Sequence, residues 1–285
     1  MLTLGLHSRG KLNLLQRSLP EGLVVDSAWL ERHGYSRGLR SKYVASGWLD
    51  QVARGAYRRP SARLATVAEE GLRWEAVVVS LQTLLGRPFS VGGRTALELQ
   101  GFGHYLATSG PREIHLYGAG SPPGWVHKLG LPQRFVFHNS KRLFREEAGI
   151  PEDACRTTAA PLPESLLRRP AAQSQWPLIM SAAERAVLEL LDEVPRHETF
   201  HQADMLMEGL STLSPRRLHR LLADCRSVKV KRLFFWFAER HEHAWLGRLG
   251  RDGIDLGRGK RMLVRGGKLD TKYGITVPPD LHAGK

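Results

Sequence analysis

The sequence predicts an α+β protein: a small unit of helices closed by a hairpin, then a larger mixed α/β domain ending in helices and β-hairpins. Three observations predict it. Apolar residues recur at helical spacing in short runs before residue 47, then alternate with period two around a glycine turn. Between 67 and 138, helical and strand-like runs follow one another. From 181 to 240 four helical patterns succeed each other, and from 254 to 277 glycines separate short apolar runs.

Residues 11–19 carry Leu12, Leu15 and Leu19 at helical spacing, and Pro20-Glu21-Gly22 breaks the pattern. Ser27 is placed to cap a short second helix over 28–33, which Gly34 ends. Ser36 caps a third helix that runs to about Ser46, and Gly47 stops it. Residues 48–52 alternate, Arg54-Gly55 makes a turn, and 56–58 return as the second strand of a hairpin. Three helices and a hairpin in this order describe a winged helix-turn-helix over 1–60, followed by a linker at 61–66.

In the remainder, 67–285, a helix is expected over 67–85, a short strand at 89–91, a helix over 94–100, and strands at 113–117 and 134–138. Residues 151–177 are rich in Pro and Ala without periodicity and read as a connection. Ser181 and Glu184 form a capping-box pattern ahead of Val187, Leu190, Leu191 and Val194. Further helices are expected over 200–210, 215–225 and 228–240, and one or two hairpins over 254–277.

Charge narrows the function. Lys and Arg number 42 against 28 acidic residues, a net of +14. Residues 1–60 carry +6 and 226–285 carry +8, while 61–225 are neutral. An excess confined to the two ends points to a polyanionic partner, with phosphate contacts at either end. No apolar run approaches the roughly 20 residues of a membrane span. Residues 1–11 show no secretory pattern. Two distant cysteines, Cys155 and Cys225, exclude a disulfide framework or a Cys-rich zinc site and fit a reducing cytosol.

On a helical wheel of the third helix, Leu39 and Tyr43 point toward the first two helices. Arg37, Arg40, Ser41 and Val44 share the opposite face, with Lys42 nearer the core edge and suited to a phosphate. Arginine forks read guanine, serine reads either partner, and a small apolar group touches a thymine methyl. The alternative is an ordinary solvated helix face. The hairpin tip Arg54 and the following Arg58 fit a wing on the DNA backbone or in the minor groove.

A second basic cluster, Lys229, Lys231 and Arg232, opens a helix whose Phe235 and Trp236 fall outside its apolar stripe. Single-stranded nucleic acid stacks on such interleaved aromatics, but a helix buried on both sides is the simpler reading. Arg258, Lys260, Arg261, Arg265 and Lys268 form a third cluster among glycines, suited to phosphate or to plain solvation. Gly92-Gly93-Arg94-Thr95 opens a helix without a Walker pattern, so tight packing explains it better than anion binding. His241-Glu242-His243 lacks the spacing of a zinc protease. No catalytic, metal or cofactor residue is expected.

Six segments together resemble one family: LPEGLVVDSAWLERHGYSRGLRSKYVASGWLDQVARGAYRRP, VGGRTALELQGFGHY, SAAERAVLELLDEVP, LMEGLSTL, SVKVKRLFFWFAERHEHAWL and DLGRGKRMLVRGGKLDTKYGITVP. They cover most of 11–278, least clearly over 120–178. The chain resembles the AbiEi-type antitoxins of type IV toxin–antitoxin systems. The resemblance implies an N-terminal winged helix-turn-helix and a C-terminal antitoxin domain in a cytoplasmic protein. It implies autorepression through inverted repeats in the protein's own promoter, with an oligomer possible on the double-stranded DNA. It implies opposition to a co-encoded nucleotidyltransferase toxin without a stable complex. Ser36, Arg37, Arg40, Ser41, Lys42, Val44, Arg54 and Arg58 are the DNA-reading candidates. Lys229, Lys231, Arg232, Arg258, Lys260 and Arg261 are the antitoxin candidates. The alternative function is an RNA-binding protein that acts through the C-terminal clusters on the toxin's substrate.

Overall fold

The computed structural model describes residues 3–60, 71–103, 110–146, 149–171 and 176–282. The expected linker at 61–66 lies outside these.

Helix α1 (Thr3–Ser18) begins well before the run that predicts it. It drops Leu15, followed by Leu19 just past its end, into a core shared with strand β1 (Val24–Asp26), α2 (Ser27–Arg32) and α3 (Arg37–Ala45). Hairpin β2 (Asp50–Ala53) and β3 (Ala56–Arg58) completes the unit. The sheet order is β1-β3-β2, antiparallel throughout. Strand β1 is absent from the sequence reading because three residues carry no period. The cap of α2 also differs. Asp26 accepts from the Trp29 amide at 2.7 Å, while Ser27 Oγ turns to the Gly55 carbonyl.

The winged unit does not stand alone. The Val24 amide donates to Ser80 Oγ at 2.8 Å, in a buried contact with α4 (Trp74–Thr83). One continuous apolar core runs from Leu15 through α4 into the rest of the chain.

Beyond α4, a five-stranded mixed sheet has the order β6-β5-β4-β8-β7. Its strands are β4 (Ser90–Val91), β5 (Glu113–Gly118), β6 (Arg134–Asn139), β7 (Leu166–Arg169) and β8 (Leu178–Ser181). Strands β5 and β6 run parallel, as do β4 and β8. Helix α5 (Gly93–Leu99) follows β4, α6 (Glu152–Arg156) precedes β7, and α7 (Ala183–Glu193) follows β8. The stretch read as a connection therefore holds α6 and the edge strand β7, both too short to show a period.

The expected capping box at α7 does not form. Ser181 Oγ donates to Glu189 Oε1, and Glu184 instead accepts from the Ser214 amide and Arg217. A capping box does form at α8 (Phe200–Gly209), between Thr199 and Gln202. Helix α9 (Pro215–Asp224) leads into α10 (Val228–His241). Phe234, Phe235 and Phe237 of α10 are fully buried and Trp236 nearly so. That helix is enclosed on both sides, as the simpler reading had it. The chain closes with one hairpin, β9 (Lys268–Asp270) and β10 (Ile275–Val277), and α11 (Pro279–His282).

Candidate nucleic-acid interface

Ser36 Oγ accepts from the Leu39 amide and starts α3. Gly34, at φ +81°, makes the tight turn from α2 that a side chain would strain. Arg37, Ser41 and Lys42 are exposed on α3, together with the small Gly38 and Ala45. Ser41 Oγ donates to the Arg37 carbonyl at 3.1 Å. This face holds two cations, a hydroxyl and no carboxylate, a surface suited to a groove lined by phosphates.

Two residues assigned to that face lie elsewhere. Arg40 is 5% exposed. Its Nη1 donates to Glu31 Oε1 at 2.9 Å, to the Ser27 carbonyl at 3.2 Å and to the Tyr35 carbonyl at 3.3 Å. It therefore fastens α3 to α2 and satisfies the Tyr35 carbonyl of the interhelical turn. Val44 is half-buried against the core. The outward face is rotated from the expected one by about one residue's step, ~100°, which brings Lys42 fully out.

The wing offers Arg54. It is exposed at a turn whose Gly55 has φ +82°. The turn is tied to α2 by the Ser27 amide donating to the Gly55 carbonyl at 2.9 Å. Arg58 is engaged: it pairs with Asp50 at 2.9 Å across the hairpin. Its neighbour Arg59 donates to the Gln16 and Leu19 carbonyls and pairs with Glu21. Arg58 thus braces the hairpin itself, and Arg59 holds the wing against α1.

The basic residues of α10 are structural, against the expectation of an antitoxin patch. Lys229 Nζ donates to the Asp192 and Val194 carbonyls at the end of α7, where a cation also suits the helix dipole. Burial lowers its pKa. Lys231 and Arg232 are each 4% exposed. Arg232 donates to the carbonyls of Leu256, Gly259 and Gly274, stitching the terminal loops to α10. Arg258, Lys260 and Arg261 are exposed as expected.

The helix start at Gly92-Gly93 is filled from within. The Gly93 amide donates to Glu189 Oε2 at 3.0 Å, and Glu189 Oε1 accepts from Ser181 and from Arg185 Nε. A Cβ on Gly92 would stand 2.2 Å from Glu189 Oε2, so close packing is the reason for that glycine.

Beside this network, His115 Nδ1 lies 3.0 Å from His138 Nε2, and His138 Nδ1 lies 3.0 Å from Glu193. Burial, with the neighbouring His138, lowers the His115 pKa to about 4. Burial raises the Glu198 carboxyl to about 7, although Arg94 pairs with it. His241 bonds to Asp204 and His243 to the Met207 carbonyl, which accounts for both imidazoles of that run.

Family profiles match the chain in two consecutive stretches. The one described as "Transcriptional regulator, AbiEi antitoxin N-terminal domain" matches residues 8–108. The one described as "Transcriptional regulator, AbiEi antitoxin, Type IV TA system" matches residues 112–278. The chain belongs to the AbiEi antitoxin family. It is thus a transcriptional regulator and antitoxin of the type IV toxin–antitoxin class, as its sequence segments indicate.

The N-terminal match of this AbiEi antitoxin runs past the wing through α4, β4 and α5, in keeping with the core that joins them. The crystal structure of the RV2827C protein from Mycobacterium tuberculosis is similar in fold. It covers 93% of this chain and 88% of its own, with a TM-score of 0.50 and 15% sequence identity. No curated protein matches the chain. Among the described residues, no helix is long and apolar enough to cross a membrane.

Proposed function

We propose that this antitoxin is a non-enzymatic, cytoplasmic autorepressor. It reads inverted repeats in its own promoter and opposes a co-encoded nucleotidyltransferase toxin without forming a stable complex with it. The observation that carries the DNA reading is the α3 face. Arg37, Ser41 and Lys42 stand outward together, and Arg54 stands at the wing tip. Helix α3 enters the major groove with Arg37 near its N-terminal end, where recognition helices meet base edges. Lys42 and Arg54 meet phosphate or the adjacent minor groove, and Ser36 acts through its cap. Arg40 holds the helix in place.

The larger C-terminal part carries toxin opposition. The division of labour is between surfaces, because the winged unit shares its core with α4. The exposed Arg258, Lys260 and Arg261 support a second reading, contact with RNA on the toxin's substrate. A footprint of the purified protein on its own upstream region tests the first reading. A joint Arg37→Ala, Lys42→Ala variant should lose the footprint yet still rescue cells that express the toxin. Loss of rescue by the folded variant contradicts separate surfaces.

A further inference from the structure

Three loops near the C-terminus enclose a cavity of about 330 Å³, bordered by Arg232, Leu256, Gly257, Gly259, Lys260 and the segment 271–274. We propose that it binds the terminal phosphate of a nucleotide-sized ligand, a site separate from the α3 face.

The floor is Arg232. Its Nε and Nη1 are fixed by three carbonyls, so the guanidinium plane cannot turn. Among the described residues Nη2 has no partner, yet it is not sealed from solvent. A rigid buried arginine with a free, accessible nitrogen is prepared to donate to an anion at little entropic cost. Glycines at φ +64°, +76° and +60° (Gly257, Gly259 and Gly274) bring the loop backbone against it. A Cβ at Gly274 would lie 3.3 Å from both Arg232 Nη1 and the Gly259 carbonyl.

Charge favours a dianion. Lys260 borders the cavity, and Arg261 is near enough to disfavour the Arg232 charge. The Arg261 backbone is bonded on both sides to the β10 region, which fixes that neighbour. Lys272 and Arg251 share the single carboxylate of Glu239. Two more acids lie nearby and are occupied by backbone amides, Asp255 by Gly257 at 2.7 Å and Asp270 by Tyr273 at 2.8 Å. Three cations, Arg232, Lys260 and Lys272, thus line the cavity, and no carboxylate does. The Thr271 hydroxyl adds a neutral donor at the rim. A phosphate needs only part of this volume, and the whole cavity matches the lower end of small-molecule pockets, about 300 Å³.

Isothermal titration of the full chain with inorganic phosphate, AMP, and a trinucleotide with and without a 5′-phosphate tests the site. AMP should bind, and the phosphorylated trinucleotide should bind more tightly than the unphosphorylated one. Lys260→Glu and Arg261→Glu, both at exposed positions, should each weaken AMP about tenfold or more with unchanged melting temperature. Arg37→Ala should leave AMP binding intact. Binding of the phosphorylated trinucleotide without AMP still supports a phosphate site and assigns it to a nucleic-acid end. Failure of both to bind overturns the proposal. So does equal binding of the two trinucleotides, or AMP binding that neither charge reversal weakens.

Discussion

Arg40 Nη1 lies 2.9 Å from Glu31 Oε1, and this pair ties the third helix of the winged unit to the second. Glu31 is exposed, so the ion pair itself contributes little. The weight lies in the buried carbonyl of Tyr35 that the same nitrogen satisfies. Arg40→Ala should cost about 1–3 kcal/mol of stability, because it strands that acceptor. Chemical denaturation measures it. A loss of DNA affinity with unchanged stability would instead put Arg40 in the groove.

The wing should act on the backbone. Arg54→Ala should weaken operator and unrelated duplexes alike and reduce the salt slope by about 0.9. Titrations at several salt concentrations read both. An effect confined to the operator would make Arg54 a base reader.

Close packing at the start of α5 gives a paired test. Gly92→Ala drives a methyl against Glu189 and Tyr117 and should cost at least about 1–3 kcal/mol. Gly124→Ala meets nothing within 4 Å and should be nearly neutral. Similar melting temperatures for the two variants would contradict the packing account.

His115 ties stability to pH. Its pKa is held at about 4, below the ordinary 6.5, so the folded state prefers the neutral ring. The stability this contributes is full above pH 6.5 and is lost as pH falls through 4, by up to about 3 kcal/mol. His115→Asn should flatten unfolding free energy over that window. Glu198, raised to about 7, acts in the opposite sense: its contribution is full below 4.5 and is lost as pH rises through 7. Glu198→Gln should flatten the upper window. NMR titration showing His115 charged at pH 6 in the folded protein would contradict the first.

Much of the architecture is legible in the sequence because its elements have periods or caps. Ser36 and Gly47 bracket α3, and the apolar run of α10 marks a buried helix. Strands β1 and β7 are not legible, since their few residues pair only through partners distant in sequence. The site was harder for a physical reason. A wheel places charged residues outward, but Arg40, Lys229 and Arg232 are drawn inward by carbonyls that only the tertiary fold leaves unpaired. Ser181 and Glu184 show the same limit: their spacing fits a cap, and partners on other turns and helices claim them.

The outward face of α3, with Arg37 and Lys42, is the surface proposed to read the promoter. Competition binding of the purified protein to its own upstream region against scrambled duplex, for wild type, Arg37→Ala and Lys42→Ala, tests it most directly. Arg37→Ala should cost about 1–3 kcal/mol on the operator and relax preference at one base pair. Lys42→Ala should weaken every sequence alike, and neither should change the melting temperature. Unchanged operator affinity and preference in the folded Arg37→Ala protein would contradict the assignment of α3 to the groove.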